Sequence, residues 1–317
     1  MISLKQVHYA LAVERHLHFR RAAEECNISQ SAMSTALAEL EKQLGFQVFE
    51  RDNRKVLVTP LGRQVLDRAR SIELQMEDLK KIAESQGKPL ATPLSVGVIP
   101  TIGPYLLPRV LPELQARYPK LKLDIVEDQT AEVLNQLRRG ALDAAIIALP
   151  YDCDGLLTFP FWQEDLLWVV HAEEDVATVT SATVDDLAST HLMLLKDGHC
   201  LTEHALTACK LEDVSTHSFS ATSLSTLVQL VAGRIGSTLV PEIALEQLVP
   251  GDSRLATIPL QDPGPHRQLA VVIRPNYPGT ANIEALVSLF KEELKKRAAV
   301  AARPISFCTY CGRAFRP

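Results

Sequence analysis

Two thiols with eight residues between them, in residues 196–211 (KDGHCLTEHALTACKL), are the groups best suited to chemistry in this chain of 317 residues. Between Cys200 and Cys209 there is no Gly or Pro, and small, apolar and polar residues alternate as a short helix accepts. At about 1.5 Å of rise per residue, a helix holds the two Cα atoms roughly 13 Å apart. A disulfide needs them within about 7 Å. The segment can hold two thiols on a wound helix or one bond across an unwound one, which is the logic of a redox switch. Asp197-Gly198 makes a turn just before Cys200, and a helix beginning there would favour a thiolate through its free amides and dipole. His199 is placed to supply a donor or a proton. The plain alternative is a pair of buried structural thiols that never meet.

The other candidates are weaker. Cys308 and Cys311 form a CxxCG knuckle in the ending FCTYCGRAFRP. One knuckle offers two zinc ligands where the ion takes four, so a flexible tail with a redox-labile pair is expected rather than metal. Cys26 reads as core filler, and Cys153, in Asp152-Cys153-Asp154, has no evident partner. His171, His204, His217 and His266 show no ligand spacing and are read as structural. No metal and no cofactor is expected.

The elements that position the thiols begin near residue 93. Strands are predicted over 94–99, 121–126, 143–148, 168–171, 193–195, 237–240 and 269–273, with helices over 104–117, 131–139, 222–232 and 282–297. Strands separated by helices indicate parallel α/β layers. Two such groups suggest two subdomains, near 93–163 with 268–300 and near 164–267, with a cleft where strand ends and helix N-termini meet. Thr101 and Thr130 fall at such helix starts, where capping is the commonest job for Thr.

Residues 1–90 have a different character. They carry 14 Lys and Arg against 12 Asp and Glu, and the remainder 19 against 26, so a net charge of −5 conceals a +2 head. Leu4, Val7, Ala10 and Leu11 give the apolar face of a first helix, and residues 19–25 begin a short second one. After the turn Asn27-Ile28-Ser29, a third helix over 30–44 keeps Met33, Leu37, Leu40 and Leu44 on one side, with Ser29 as its cap and Gly45 as its end. Gln30, Ser31, Ser34 and Thr35 leave short polar groups on its first two turns, where recognition helices meet base edges and phosphates. A hairpin follows with Arg51, Arg54 and Lys55 at its tip, a wing able to reach phosphate. From Thr59 to about Gln86 a long polar helix carries Val65, Ala69, Ile72, Met76, Leu79 and Ala83 at 4-3-4-3-4 spacing, a narrow coiled-coil seam. The residues Gln86-Gly87-Lys88-Pro89 read as a hinge, leaving that helix little of its own domain to pack on, so it is expected to dimerise. The domains are therefore placed at 1–60 (winged helix-turn-helix), 61–92 (linker helix and hinge), 93–300 (regulatory) and 301–317 (tail).

A hydrophobic content of 46 % with 22 % charged residues is that of an ordinary globular chain, not of a disordered one. The opening MISLKQVHYALAVERHLHF has neither the basic start nor the apolar run of a signal peptide, and no window approaches a membrane helix. A cytoplasmic chain with cysteines that begin reduced is the expectation, so a disulfide here would be regulatory or catalytic.

The run AAEECNISQSAMSTALAELEKQLGFQVFER, the basic hairpin and the TPLG after it resemble the DNA-binding head of LysR-type transcriptional regulators over residues 1–90. The resemblance implies winged heads on dyad-symmetric promoter DNA, dimers paired into tetramers, contact with RNA polymerase, and a regulatory domain of two Rossmann-like subdomains as in periplasmic binding proteins. In most of that family, Thr101, Thr130 and residues 222–225 (TSLS) would resemble a carboxylate effector site at helix N-termini. DGHC at 197–200 with Cys209 beyond it, and GVIPTIGPYLLP at 97–108, are instead similar to the hydrogen-peroxide sensors of the family. That likeness implies Cys200 as the peroxidatic and Cys209 as the resolving cysteine of an activator of oxidative-stress genes. It places Thr101, Thr130, His199 and Arg267 around the peroxide and Glu203 as a proton acceptor, with cellular thiol reductants to reset the bond. Two competing readings remain: a regulator taking a small carboxylate, and a thiol peroxidase fused to a DNA-binding head.

Overall fold

The computed structural model describes residues 1–52, 55–85, 87–188, 190–209, 221–261, 264–301, 306–307 and 314–315. The chain divides into two units, Met1–Gly87 and Lys88–Pro317. No helix among the described residues is long and apolar enough to cross a membrane.

The first unit is a small helical core with a hairpin. Helix α1 (Leu4–His16) starts at a reciprocal cap between Ser3 and Gln6, and α2 (Phe19–Glu25) follows after Leu17 turns the chain at a φ of 47°. Ser29 accepts a hydrogen bond from the Ala32 amide to start α3 (Gln30–Leu44), and Gly45, at a φ of +80°, ends it. Met33, Leu37 and Leu40 are buried against Ala10, Leu11 and Val13, while Leu4, expected on the buried face, is exposed. Strands β1 (Phe49–Asp52) and β2 (Lys55–Val58) pair antiparallel, and Glu41 on α3 fixes them by accepting from the amides of Val48 and Phe49 at 2.9 and 3.0 Å.

In α4 (Pro60–Ser85) the motif TPLG has a physical reading. Thr59 Oγ1 accepts from the Gly62 amide at 2.8 Å, and a Cβ on Gly62 would lie 2.2 Å from the Val48 carbonyl oxygen. The first turns of α4 do pack on their own unit, contrary to the expectation of a helix without a home. Leu66 and Ala69 are buried, and His8–Glu73 (2.8 Å) and Arg70–Glu14 tie the helix to α1. Only the later seam positions are bare: Ile72, Met76 and Ala83 are exposed, and Leu79 is 60 % exposed.

The second unit is α/β. Strand β3 (Leu94–Val98), α5 (Gly103–Arg117), β4 (Leu123–Glu127), α6 (Thr130–Arg139) and β5 (Ala144–Leu149) form a parallel β4-β3-β5 layer. Strand β6 (Leu157–His171) then leaves this half for a second one, built from α7 (Val184–Ala188), β7 (Leu192–Met193), α8 (Cys200–Cys209), α9 (Leu224–Ala232), β8 (Ser237–Pro241), α10 (Glu242–Leu248) and β9 (Leu255–Ile258). Strand β10 (His266–Ile273) returns to the first half, which α11 (Thr280–Ala301) covers. Short pairs at β11 (Ser306–Phe307) and β12 (Ala314–Phe315) close the described chain.

The sheet runs β4-β3-β5-β10-β6-β8-β7, with β9 on β6. The sheet is therefore mixed rather than parallel throughout, because β10 lies antiparallel to both β5 and β6. Strand β6 pairs with β10 through residue 165 and with β8 and β9 from residue 166 onward, so it spans both halves.

Candidate functional site

Cys200 is the first residue of α8, as the spacing predicts, and the helix ends at Cys209. Its thiol is free and the residue only 2 % exposed. At helical rise the two cysteine Cα atoms are about 13 Å apart, beyond disulfide reach. The side chain of Cys209 lies outside the described residues.

The turn before the helix requires its glycine. Gly198 has a φ of +94°, and a Cβ there would come 2.6 Å from Gln129 Oε1. This places the start of α8 against Gln129, the residue that precedes α6 in the first half of the sheet. Two side chains then anchor the helix. Thr202 Oγ1 donates to the Leu195 carbonyl at 2.9 Å, and His204 Nε2 meets the Pro150 carbonyl at 2.7 Å.

Around the thiol the structure gathers residues from three strand ends, the usual ligand position of an α/β sheet. Neither threonine caps a helix. The cap positions of α5 and α6 are Ile102 and Gln129, and neither makes a side-chain cap bond. Thr101 Oγ1, after β3, accepts from Arg267 Nη1 at 2.8 Å, and its carbonyl accepts from Nη2 at 2.9 Å. Thr130 opens α6 after β4. Its buried Oγ1 faces the Cys200 thiol and has no other hydrogen-bond partner. The backbone of Ala148, at the end of β5, also reaches the sulfur.

Arg267 is both a charge acting on the Cys200 thiol and a partner in a buried ion pair. It is fully buried, and its Nε donates to Glu164 Oε1 at 2.9 Å across the β6–β10 register. Glu164 Oε2 accepts from the Ile243 amide of α10 at 2.7 Å, so the pair links both halves. Burial pushes the Cys200 thiol above its ordinary pKa. The Arg267 guanidinium, the Thr130 hydroxyl and the Ala148 backbone pull the other way, and Glu203 adds to the rise. His199 is buried too, and burial holds its imidazole below the usual range. Glu203 is exposed, yet near enough for its charge to act on the sulfur.

In the head, Gln30, Ser31 and Thr35 are exposed and Ser34 half-buried on the first turns of α3. Lys55 is exposed on the wing, while the side chains of Arg51 and Arg54 lie outside the described residues, as do Cys308, Cys311 and His217. Cys26 and Cys153 are free, half-buried thiols. Among the described residues no three His, Cys, Asp or Glu gather as a metal set. The residues not foreseen are Glu164, Gln129 and Pro150. Glu164 carried no signal beyond a charge inside an apolar run, and the other two serve through position alone.

A winged head joined to a two-part α/β domain with its site at the strand ends defines a class of bacterial regulators. Residues 4–63 match the model "Bacterial regulatory helix-turn-helix protein, lysR family" and residues 87–295 match "LysR substrate binding domain". The chain belongs to the lysR family. Within it, the chain is similar to the "Hydrogen peroxide-inducible genes activator" of Haemophilus influenzae, 37 % identical over 93 % of this chain and 98 % of that one. Among solved structures it is similar to a full-length OxyR from Pseudomonas aeruginosa carrying a cysteine-to-aspartate substitution, with a TM-score of 0.74 and 31 % identity over 92 % of this chain and 98 % of that one. It is also similar to a hydrogen-peroxide-bound cysteine-to-serine mutant of Corynebacterium glutamicum OxyR, with a TM-score of 0.66 and 34 % identity over 95 % of each chain.

Proposed function

We propose that this protein is a DNA-binding transcriptional regulator that senses hydrogen peroxide through Cys200. The observation that carries the reading is the setting of that thiol. It is free and buried at the first residue of a helix that ends on a second cysteine, facing the Thr130 hydroxyl and the Arg267 charge. Peroxide binds among Thr101, Thr130, His199 and Arg267. The Cys200 thiolate attacks one peroxide oxygen, the O–O bond breaks, and the leaving hydroxide takes a proton to become water, which leaves a sulfenic acid. The Cys209 thiolate then attacks that sulfur, and the sulfenic hydroxyl leaves as a second water. Two thiols are oxidised by two electrons and one peroxide is reduced to two waters. Glu203, exposed beside the sulfur, accepts the proton released.

The bond cannot form while α8 is wound, so residues 196–211 refold and the dimer repacks. Dimers form through the exposed later part of the α4 seam and pair into tetramers. Their winged heads read dyad-symmetric promoter DNA through Gln30, Ser31, Ser34 and Thr35, with Arg51 and Arg54 on the backbone. The oxidised form activates oxidative-stress genes through RNA polymerase, in the cytoplasm, and cellular thiol reductants restore the thiols. A sensor consumes about one equivalent of peroxide per site, which separates it from an enzyme.

The test is thiol-trapping mass spectrometry of the full-length protein after micromolar peroxide, with reporter transcription alongside. A Cys200–Cys209 bond is expected in the native protein, and neither bond nor response in Cys200→Ser. Thiols unchanged by peroxide would remove the reading, and repeated turnover with a reductant would replace the sensor by a peroxidase.

A further inference from the structure

His204 stands on α8 between the two cysteines, one turn beyond Cys200 and five residues before Cys209. It is 6 % exposed, and its side chain does not serve its own half of the domain. Nε2 lies 2.7 Å from the carbonyl oxygen of Pro150, the residue that follows β5 in the other half. A carbonyl only accepts, so Nε2 carries the hydrogen and donates it. Nδ1 is buried and has no hydrogen-bond partner, so it is the bare nitrogen of a neutral ring. Burial, the largest influence, and Arg267 hold the ring below its ordinary pKa, against the Pro150 carbonyl and Glu203.

The contact is placed where the disulfide-forming step must act. Cys200 and Cys209 come into bonding reach only if the turns between them unwind, and His204 lies on those turns. Unwinding carries its ring away from Pro150 and leaves that carbonyl without this donor. The other side-chain anchor of the helix, Thr202 on the Leu195 carbonyl, stays within one half and one turn of the sulfur. Of these two side-chain anchors, the one made by His204 reaches the opposite half.

We propose that His204 is a positioning residue for the second step: a latch that holds α8 wound and docked on the loop after β5 until Cys200 is oxidised. The inference rests on the reading of Cys200 and Cys209 as a redox pair. The latch opposes the bond between them and leaves the attack on peroxide untouched. One hydrogen bond of this kind shifts an equilibrium by about fivefold. Removing it displaces the Cys200–Cys209 couple about fivefold toward disulfide, which makes the potential of this two-electron couple about 20 mV more negative.

The experiment compares the native full-length protein with His204→Leu, which removes the donor, and His204→Gln, whose side-chain amide reaches the position of Nε2. Equilibrium in glutathione buffers measures the couple, and sulfenic acid trapped after a peroxide pulse separates formation from condensation. In His204→Leu the couple shifts about fivefold toward disulfide and condensation quickens, while sulfenic acid forms at the native rate. In His204→Gln the native values return. Equal shifts in both variants, or a slowed attack on peroxide in His204→Leu, would overturn the latch. If the leucine variant does not fold, nitrogen-15 NMR of the native protein decides. A neutral His204 ring with Nε2 protonated in the reduced form, lost on oxidation, supports the latch, and a ring signal unchanged by oxidation refutes it. Glutathione equilibration needs no peroxide, so a native protein that ignores peroxide would sink the sensor reading while this test still ran.

Discussion

Replacing Glu164 by Gln removes one charge of a buried pair while keeping its shape. The native carboxylate takes Arg267 Nε at 2.9 Å on one oxygen and the Ile243 amide at 2.7 Å on the other. The amide oxygen of Gln keeps the Ile243 bond, and its NH₂ then meets the guanidinium donor to donor. Arg267, fully buried, is left with the hydroxyl and carbonyl of Thr101. Breaking a buried pair on one side costs about 3–5 kcal/mol, against roughly 5–15 kcal/mol for the stability of an ordinary domain. A urea midpoint lower by about 1 M or more is the expected readout. The same change acts on Cys200 with the opposite sign. Glu164 masks the positive charge that draws the thiol toward its thiolate. Removing that negative charge leaves the guanidinium's field on the sulfur unmasked and favours the thiolate. The thiol pKa should fall, read from the pH dependence of alkylation at Cys200. A less stable protein with a more acidic thiol is the signature. Loss of stability with an unchanged or higher thiol pKa would refute Arg267 as the source of the field.

Thr130→Val deletes the hydroxyl that faces the thiol and should raise the Cys200 pKa, slowing its reaction at neutral pH about tenfold. Because that hydroxyl is buried without another partner, stability should change by less than about 1 kcal/mol, and a large loss on melting would contradict the assignment. Burial holds the Cys200 thiol above its ordinary range, so folded, reduced protein keeps a proton that unfolded chain releases. Stability should therefore decline as pH rises from about 8.5, and Cys200→Ser should lessen the decline, Cys26 and Cys153 being raised by burial as well; coincident melting curves for the two from about pH 7 to 10 would count against it. Leu79→Glu puts a charge on the exposed part of the α4 seam and should weaken dimerisation in sedimentation by at least about tenfold, and DNA affinity with it. An unchanged dimer would mean that α4 is not the interface.

What the sequence made legible was whatever depends on local order. The bounds of α8 follow from a Gly turn, an unbroken run and two cysteines. The places of Thr101 and Thr130 follow from strands giving way to helices. What stayed hidden depends on residues far apart in the chain. Only residues 168–171 of β6 were readable as a strand, because Pro160 breaks its first part and Glu164 and Asp165 look like a solvated loop. Glu164 is buried there because Arg267, 103 residues later, sits opposite it. The antiparallel course of β10 was hidden for the same reason, since alternation of elements does not say which strand a returning segment joins. His204 read as an ordinary structural histidine because nothing near it in the chain announces Pro150. The α4 seam shows the reverse error: its period was correct, but a period does not say that Ala69 is already covered by the helix's own unit.

The contacts that counter the effect of burial on the Cys200 thiol and those that keep its helix wound come from the same side. Thr130, Ala148, Thr101 and Pro150 all belong to the first half of the sheet, and Arg267 to the strand that returns to it, whereas the sulfur rides on a helix of the second half. The thiolate therefore has its partners only while α8 is docked across the halves. Once the sulfur is oxidised, the guanidinium and hydroxyl no longer have a thiolate to offset, and those contacts with the sulfur are lost at the moment when unwinding becomes productive. Reduction restores a thiol whose preferred surroundings exist only in the docked form, which draws the helix back. Sensitivity and resetting thus rest on the same interface, and substitutions on the first half that touch neither cysteine should alter both together.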